Sequence, residues 1–384
     1  MAKVYRSDPV EATLGHMSKR KILLLSAYDA VSHQHWRKGM VAAFPEYEWT
    51  VLTLPPRHFA WRIRGNSLSW AYMERKTLER GYDLIIATSM TDLSALKGMA
   101  PSLAAATSLL YFHENQFDYP LSGNEHKSVE PQIVSIYAAL SATRIAFNSD
   151  YNRQTFLAGV RQLFKRLPDH VPEGIDIMLS EKSILLPVPL DESWSDLPSQ
   201  RGEKFTLLWN HRWEYDKGPE RLFYALCRLR EAGVDFHAHI VGQQFRDAPK
   251  VFERFRDELS AHIGVWGFVE DKAEYRRLMQ QSHVVLSTSL HDFQGLSILE
   301  ATAAGCLPLV PDRLAYREFI PDEFRYDSYL NSEDREAEAL AQSIFRLAEL
   351  YGENRLPEAP DMSAMRWKVR KADYKILIES LFVG

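Results

Sequence analysis

Four charged side chains in the second half of the chain have the types and spacing to hold a phosphorylated sugar. Arg212 and Lys217 stand five apart in "LLWNHRWEYDKGPERLFYALCRL", which reads as strand, turn and helix. Gly218-Pro219 opens that helix, where proline suits the first turn. Two cations beside the free N–H groups of a helix start make a site for a multiply charged anion such as a diphosphate. In "STSLHDFQGLSILEATAAGC", Ser287 to Cys306, Asp292 lies in a short polar loop and Glu300 lies eight positions later in an Ala-rich helix. An acid on a helix after a parallel strand can accept hydrogen bonds from both hydroxyls of a ribose, and Glu300 has that place. Ala303 and Ala304 share its helical face and leave room. Asp292, nearer the strand end, can bind hydroxyls of a second sugar. Gly295 starts the helix and lets its backbone N–H groups approach a phosphate. Each has a plainer reading taken singly: Arg212 paired with Glu214 or Asp216, Asp292 as a helix cap, Glu300 as a solvated helix acid. Taken together they describe a nucleoside diphosphate sugar.

The first half offers acceptor-side candidates. "YFHENQFDYP", from Tyr111, follows a strand and carries His113, Glu114, Asn115 and Gln116. No second His follows at the spacing of a metalloprotease helix. His113 can hydrogen-bond a donor sugar or steady an acceptor hydroxyl, or be a satisfied structural His. In "AYDAVSHQHW" the loop after the first strand carries Ser32 and His33, which can donate to acceptor or phosphate. His33 and His35 could bind a metal, but two alternating His on a loop more often do not. "PRHFAWRIR" sets Arg57, Arg62 and Arg64 around Phe59 and Trp61. Cations beside exposed aromatics suit phosphates and unstacked bases. The alternative is an amphipathic strand or loop with its aromatics in the core. Arg153, Arg161, Lys165 and Arg166 on a following helix extend the basic surface.

The elements that must position these groups alternate β-rich runs with longer amphipathic segments. Strand candidates begin at Lys21, Trp49, Tyr82, Thr107, Arg144 and Ser183, then at Phe205, Phe236, Val265, His283 and Cys306. They are nearly continuous in apolar residues, as in a parallel sheet covered on both faces. The spacing predicts an α/β protein of two doubly wound, Rossmann-like domains facing across a ligand cleft. Residues 17–190 form the first, 191–204 a Ser/Pro/Gly-rich linker and 205–362 the second. Residues 363–384 form a helix crossing back to the first domain, and residues 1–16 a leader or remnant outside the fold. At 384 residues the chain exceeds a single ordinary core. A net charge of −5 disfavours generic attraction to nucleic acid or membranes and leaves room for a local basic patch. Only Cys227 and Cys306 are present, so a reducing compartment, the cytoplasm, is expected. The apolar runs are too short to span a bilayer, and the opening residues lack a signal-peptide apolar region.

"HRWEYDKG", "HIVG", "VWGFVEDKAEYRRLMQQSHVVLSTS" and "HDFQGLSILEATAAGC", in that order, resemble the C-terminal domain of retaining GT-B glycosyltransferases of family 4. The resemblance implies that Arg212 and Lys217 hold the donor diphosphate, Asp292 the donor sugar and Glu300 the ribose. Gly242, Gly295 and Leu296 would also line the donor. The leading acid of the pair is usually Glu, and Asp292 is one methylene shorter, which bears on sugar preference. "YFHENQFDYP", "TLPPRHFAWRIR", "FNSDYNRQTF", "LPDHVPE" and "HRWEYDKGPE" resemble the tRNA-queuosine mannosyltransferases, from about Lys21 to Glu323 with an echo at Trp367. That implies transfer of mannose, with retention, from GDP-mannose to the cyclopentenediol of queuosine in an aspartate tRNA anticodon. The implied catalytic set is His113, Arg212, Lys217 and Asp292. The acceptor set is Ser32, His33, Arg57, Trp61, Arg62, Arg64, Glu114, Asn115 and Gln116. A departing phosphate oxygen would take the acceptor proton by a front-face route, with no metal or other cofactor required. The expected partners are the nucleotide sugar and queuosine-containing tRNA, with no membrane and no obligate protein partner. A Gly pair common before Ser-His is replaced by Ala30-Val31, which bears on backbone approach to phosphate at that loop. Three rivals remain open at this point. They are a related glycosyltransferase with another donor and a glycan, lipid or small-molecule acceptor; an RNA-binding protein with an inactive donor site; and a sugar-nucleotide epimerase.

Overall fold

The computed structural model describes residues 3–4, 19–118, 128–194, 201–245 and 248–383. They fall into two compact units, one ending at Pro189 and joined by Trp367 onward, the other spanning Leu190–Arg366.

The first unit holds strands β1 (Lys3–Val4), β2 (Lys21–Ser26), β3 (Glu48–Thr53), β4 (Leu84–Thr88), β5 (Thr107–Phe112), β6 (Arg144–Phe147) and β7 (Ser183–Leu185). Their order is β1-β3-β2-β4-β5-β6-β7. Ile22–Leu25 and Leu84–Ala87 are wholly buried without alternation, because helices cover both faces. Every pairing is parallel except β1 with β3. The β1 pairing corrects the sequence reading, since Lys3 and Val4 lie in the segment expected outside the fold; the rest of that segment is outside the described residues. Strand order reverses between β2 and β4, which places the crevice of this sheet beyond their carboxyl ends.

The second unit holds β8 (Thr206–Asn210), β9 (His237–Val241), β10 (Ile263–Gly267), β11 (Val284–Leu286), β12 (Leu307–Pro311) and β13 (Arg325–Tyr326). The order is β10-β9-β8-β11-β12-β13, all parallel, and the reversal falls between β8 and β11. β8, β11 and β12 are buried along their whole length. Part of the expected linker packs rather than spans, since Trp194 joins the core of this unit; Leu190 just before it also belongs here, its N–H donating to the Met365 carbonyl at 2.9 Å. Residues 195–200 lie outside the described residues.

The terminal helix, Trp367–Ser380, belongs to the first unit. Trp36 Nε1 donates to the Tyr374 hydroxyl at 3.0 Å, and that hydroxyl donates to the Pro187 carbonyl at 3.1 Å. The Trp367 indole lies against Gly39, where a Cβ would fall 2.4 Å from the ring. Among the described residues no helix is long and apolar enough to cross a membrane.

Candidate active site

Two loops at the reversal in the second unit carry the four charged residues. After β8 the chain passes through His211, Arg212 and a 3-10 turn, Tyr215–Lys217, into the Pro219–Glu231 helix. After β11 it passes through Ser287–Gln294 into the Leu296–Ala303 helix, with Gly295 at its N-cap. The loops are stitched together. The N–H of Leu290 donates to the Asp216 carbonyl at 2.7 Å, and Thr288 Oγ1 donates to the Lys217 carbonyl at 2.7 Å. Gly218 must be glycine: its φ is +60°, and a Cβ would sit 2.4 Å from the Thr288 carbonyl oxygen.

Lys217 is buried, yet its ammonium is satisfied. Nζ donates to the His291 carbonyl at 2.7 Å and lies 3.4 Å from carboxylate oxygens of both Asp216 and Asp292. Asp292 is 18% exposed and turns its other oxygen to the Gly295 N–H at 2.7 Å. One oxygen thus closes the turn that leads into the helix, whose N-cap is Gly295, and the other faces Lys217. Burial would raise the Asp292 carboxyl, but Lys217, His211, the Gly295 N–H and His291 outweigh it and hold it at about 2. Arg212 is 43% exposed and pairs with Glu214 at 2.6 Å and with Asp216 at 3.8 Å, the plainer pairing foreseen for it. Glu300 is partly exposed on the Leu296–Ala303 helix, near the Tyr275 hydroxyl, whose ionisation burial and the Glu300 charge oppose. Asn210 donates to that hydroxyl and to the Ser297 carbonyl, both at 3.0 Å. Leu296 packs partly buried against the core. Gly242 serves backbone approach of another kind, since a Cβ there would fall 1.7 Å from the His211 carbonyl oxygen.

Four buried histidines of the second unit, two of them in the site loops, have lowered pKa values. His211 and His291 are lowered to about 4 by burial and then by the Lys217 charge. His239 and His283 are lowered to about 4 by burial, then by His237 and Arg201 respectively. The unfolded chain protonates each near 6.5, whereas the folded chain waits until about 4. Stability is therefore full above about pH 6.5 and is lost as pH falls toward 4. Thermal melts at pH 8, 7, 6, 5 and 4 are expected to be level at the first two and to fall steeply over the last three. A flat series would contradict buried neutral histidines.

Sequence reasoning missed the support of the Ser287–Gln294 loop. Arg313, buried after β12, donates from Nε to the Ser289 carbonyl at 2.9 Å and from a terminal nitrogen to the Thr288 carbonyl at 3.3 Å. Its terminal nitrogens also make two bonds of 2.6 and 2.7 Å to Glu336, which is fully buried, and one of 2.8 Å to Ser328 Oγ. Glu336 also meets Arg221 Nε at 3.0 Å and the Tyr329 N–H at 2.7 Å. Arg221 lies in the Pro219–Glu231 helix, so one carboxylate ties together both site loops. Tyr316 adds a hydroxyl to Ser287 Oγ at 2.7 Å, with its ring against Gly295. The only cue in the sequence was an acid near the start of an amphipathic helix, which ordinarily reads as solvated.

In the first unit the candidates divide. His113 follows β5 and is buried. Its ring stacks on His33 at 4.3 Å, meets Trp36 edge-on at 4.9 Å and tilts on Tyr111 at 4.7 Å. Its Nε2 is buried without a hydrogen-bond partner, and burial, then His33 and His35, lower its pKa well below the ordinary value. Ser32 and His33 stand in the first turn of the Val31–Ala43 helix, which corrects their placement in a loop. Ser32 is exposed, but His33 is buried with Nδ1 2.6 Å from the Tyr28 carbonyl, so that nitrogen carries the hydrogen. His35 turns to the Pro189 carbonyl at 3.0 Å, and no metal-holding group of three or more ligands exists among the described residues.

Asn115 is a correction. It is 1% exposed, its amide donates to Asn152 and Thr155, and its carbonyl accepts from the Phe117 N–H, so it builds the loop and has little left for an acceptor. Glu114 and Gln116 beside it are partly exposed. "PRHFAWRIR" is also corrected, to the start of a helix, Phe59–Met73. That helical phase leaves Trp61 exposed and turns Arg62 inward, with Nε buried and without a partner, while Arg57 is exposed just before the helix. Arg64 pairs with Asp92 at 3.0 Å and with Glu130 at 3.2 Å. Of the basic residues further on, Arg153 pairs with Asp150 and Arg161 with Asp176.

Known proteins match both units. The family profile described as tRNA-queuosine alpha-mannosyltransferase N-terminal matches residues 21–190. The profile described as glycosyl transferases group 1 matches residues 192–359. The tRNA-queuosine alpha-mannosyltransferase of Drosophila melanogaster is 29% identical over 321 residues, which cover 81% of this chain and 84% of the fly protein. Among solved structures, the catalytic domain of starch synthase IV from Arabidopsis thaliana, bound to ADP and acarbose, has a TM-score of 0.67 at 12% identity. It covers 95% of this chain and 100% of its own. Sucrose-phosphate synthase from Thermosynechococcus elongatus has a TM-score of 0.66 at 15% identity, with the same coverage. At such identities the structures speak to the fold, which is GT-B, with one Rossmann-like domain in each unit. The two profiles follow one another along the chain and agree with the fly relative, and the chain belongs to the tRNA-queuosine alpha-mannosyltransferase family of glycosyltransferases.

Proposed function

We propose that this enzyme moves mannose from GDP-mannose to the cyclopentenediol of queuosine in an aspartate tRNA, in the cytoplasm. The observation that carries the donor half is the convergence at the β8/β11 reversal. Lys217 and Asp292 lie 3.4 Å apart there, with Arg212 on one loop and Glu300 on the helix that leaves the other. The crevice at such a reversal is where doubly wound sheets take their nucleotides. In this reading Arg212 exchanges Glu214 for the diphosphate, and Lys217 adds a second charge from a dry site. The N–H groups of the Pro219 helix complete the anion site, so no metal cofactor is required. Glu300 accepts from the ribose hydroxyls. Asp292, ionised at any working pH, accepts from the sugar.

The anomeric carbon gains positive character as the diphosphate leaves, and catalysis needs that leaving charge stabilised and the acceptor hydroxyl close by. A phosphate oxygen of the departing group takes the acceptor proton on the same face, which retains configuration. His113, neutral because it is buried, offers its unpartnered Nε2 to a sugar or acceptor hydroxyl. Ser32, Arg57, Trp61, Arg64, Glu114 and Gln116 are the exposed or partly exposed members of the acceptor set.

Mass analysis of queuosine-containing and queuosine-free tRNA after incubation with GDP-mannose and other nucleotide sugars tests this. A single hexose gained only by the queuosine-containing tRNA, and only from GDP-mannose, is expected. Gain from another donor, or on another acceptor, would replace the substrates while keeping the enzyme class. Glu300→Ala should weaken donor use by about ten- to a hundred-fold, the range for losing a charged hydrogen-bond acceptor. Unchanged donor KM and kcat in that variant would remove Glu300 from the site.

A further inference from the structure

The Phe59–Met73 helix is apolar on more than its inward face. It buries Ile63, Trp70 and Ala71 together with Arg62, Asn66 and Ser67, yet exposes Trp61, Leu68, Tyr72 and Met73 at 54, 43, 71 and 81%. Helices on globular surfaces normally turn the apolar stripe inward. Trp61, Gly65, Leu68 and Tyr72 follow one another at spacings of four, three and four, so they share a single face. Gly65 has a role in it: a Cβ there would lie 2.3 Å from the Trp61 indole, so only glycine lets that ring lie along the helix.

Charge gathers around the same helix. From Arg57 to Arg80 the sequence holds Arg57, Arg62, Arg64, Arg75, Lys76 and Arg80 against Glu74 and Glu79, in a chain whose net charge is −5. Arg64 and Arg75 are engaged in ion pairs. Arg57, Lys76 and Arg80 are exposed at the two ends of the stripe. An apolar protein partner would use the stripe and be indifferent to these cations. A single-stranded polyanion uses both, stacking its bases on exposed rings and setting its phosphates on flanking charges.

We propose that this helix and the turn after it form an extended RNA-contacting surface. Unpaired bases of the tRNA stack along Trp61, Leu68 and Tyr72, and Arg57, Lys76 and Arg80 hold the phosphates. The proposal rests on the tRNA reading above and extends it beyond the acceptor residues around the reacting base. The line from Trp61 to Tyr72 is about 16 Å at 1.5 Å per residue, long enough for several nucleotides.

The test uses the full chain, the single variant Tyr72→Ala and the double variant Lys76→Ala/Arg80→Ala. Binding of queuosine-containing tRNA is measured over a range of salt concentrations, beside KM for tRNA, KM for donor and the melting temperature. Tyr72→Ala should weaken tRNA binding and raise KM for tRNA by about five- to a hundred-fold. The double variant should weaken binding and flatten its dependence on salt by about one to two in log–log slope. Donor KM and melting temperature should not move, since none of the three side chains is buried. Wild-type tRNA affinity and salt slope in both variants would overturn the surface while leaving the proposed reaction intact. A wild-type enzyme that neither binds nor modifies queuosine-containing tRNA would instead overturn the acceptor reading beneath it. A change of oligomeric state in the variants with tRNA affinity unchanged would make the stripe a contact between copies of this chain, and would also overturn the proposal.

Discussion

Lys217→Met is expected to lower kcat/KM for sugar transfer by about a hundred- to a thousand-fold, the usual loss when a preorganised donor to developing charge is removed. Methionine keeps most of the hydrocarbon that fills the buried path between the two loops and deletes only the ammonium. That ammonium donates to the His291 carbonyl and faces Asp216 and Asp292 at 3.4 Å, so its position is set before any donor arrives. A second effect follows from the same contacts. Asp292 sits at about 2 because Lys217 is foremost among the groups that oppose the burial pushing it up. Without Lys217 its pKa rises, and the acid limb of the pH–rate profile moves to higher pH. Lys217→Arg should not restore activity, because a planar guanidinium does not fit a site shaped for a compact ammonium. Steady-state kinetics from pH 4 to 8 checks both parts. Near-native kcat/KM with an unmoved acid limb would exclude Lys217 from the chemistry.

Glu336→Ala is expected to destabilise the second unit by about 3–5 kcal/mol, the range for breaking a buried ion pair from one side. The carboxylate is fully buried and neutralises Arg313 through two hydrogen bonds and Arg221 through an ion pair at 3.0 Å. Its removal leaves two buried guanidiniums short of a counter-charge, a large fraction of the total stability of an ordinary domain. Glu336→Gln keeps the shape and one acceptor and should cost less. In both variants Arg313 loses the anchor from which it holds the Thr288 and Ser289 carbonyls, so donor affinity should fall where the unit is still folded. Urea denaturation gives the first quantity and nucleotide titration at low denaturant the second. A midpoint within experimental error of wild type would show that the triad is dispensable.

The sequence by itself determined the sheets and the charged motif at the β8/β11 reversal. Buried parallel strands must be apolar without interruption, so β8, β11 and β12 announce themselves. The loops that leave β8 and β11 carry their charges at fixed distances from a Gly-Pro start and a Gly N-cap, and local geometry alone then places Lys217, Asp292 and Glu300. Family resemblance supplied the acceptor and the sugar, which periodicity could not.

Only the tertiary structure decided which polar groups face inward. Arg62 and Arg64 look alike in sequence, but the helical phase starting at Phe59 buries one and exposes the other. Asn115 stands beside His113, yet Asn152 and Thr155, about forty positions away, consume its amide. His33 reads as a loop donor until the fold stacks it on His113, eighty positions on. Glu336 resembles any acid near a helix start until Arg313 and Arg221 close on it. Local patterns fix the elements because each is satisfied within a few residues of itself. The partner of a buried polar group lies wherever the chain returns, and that requires the whole fold.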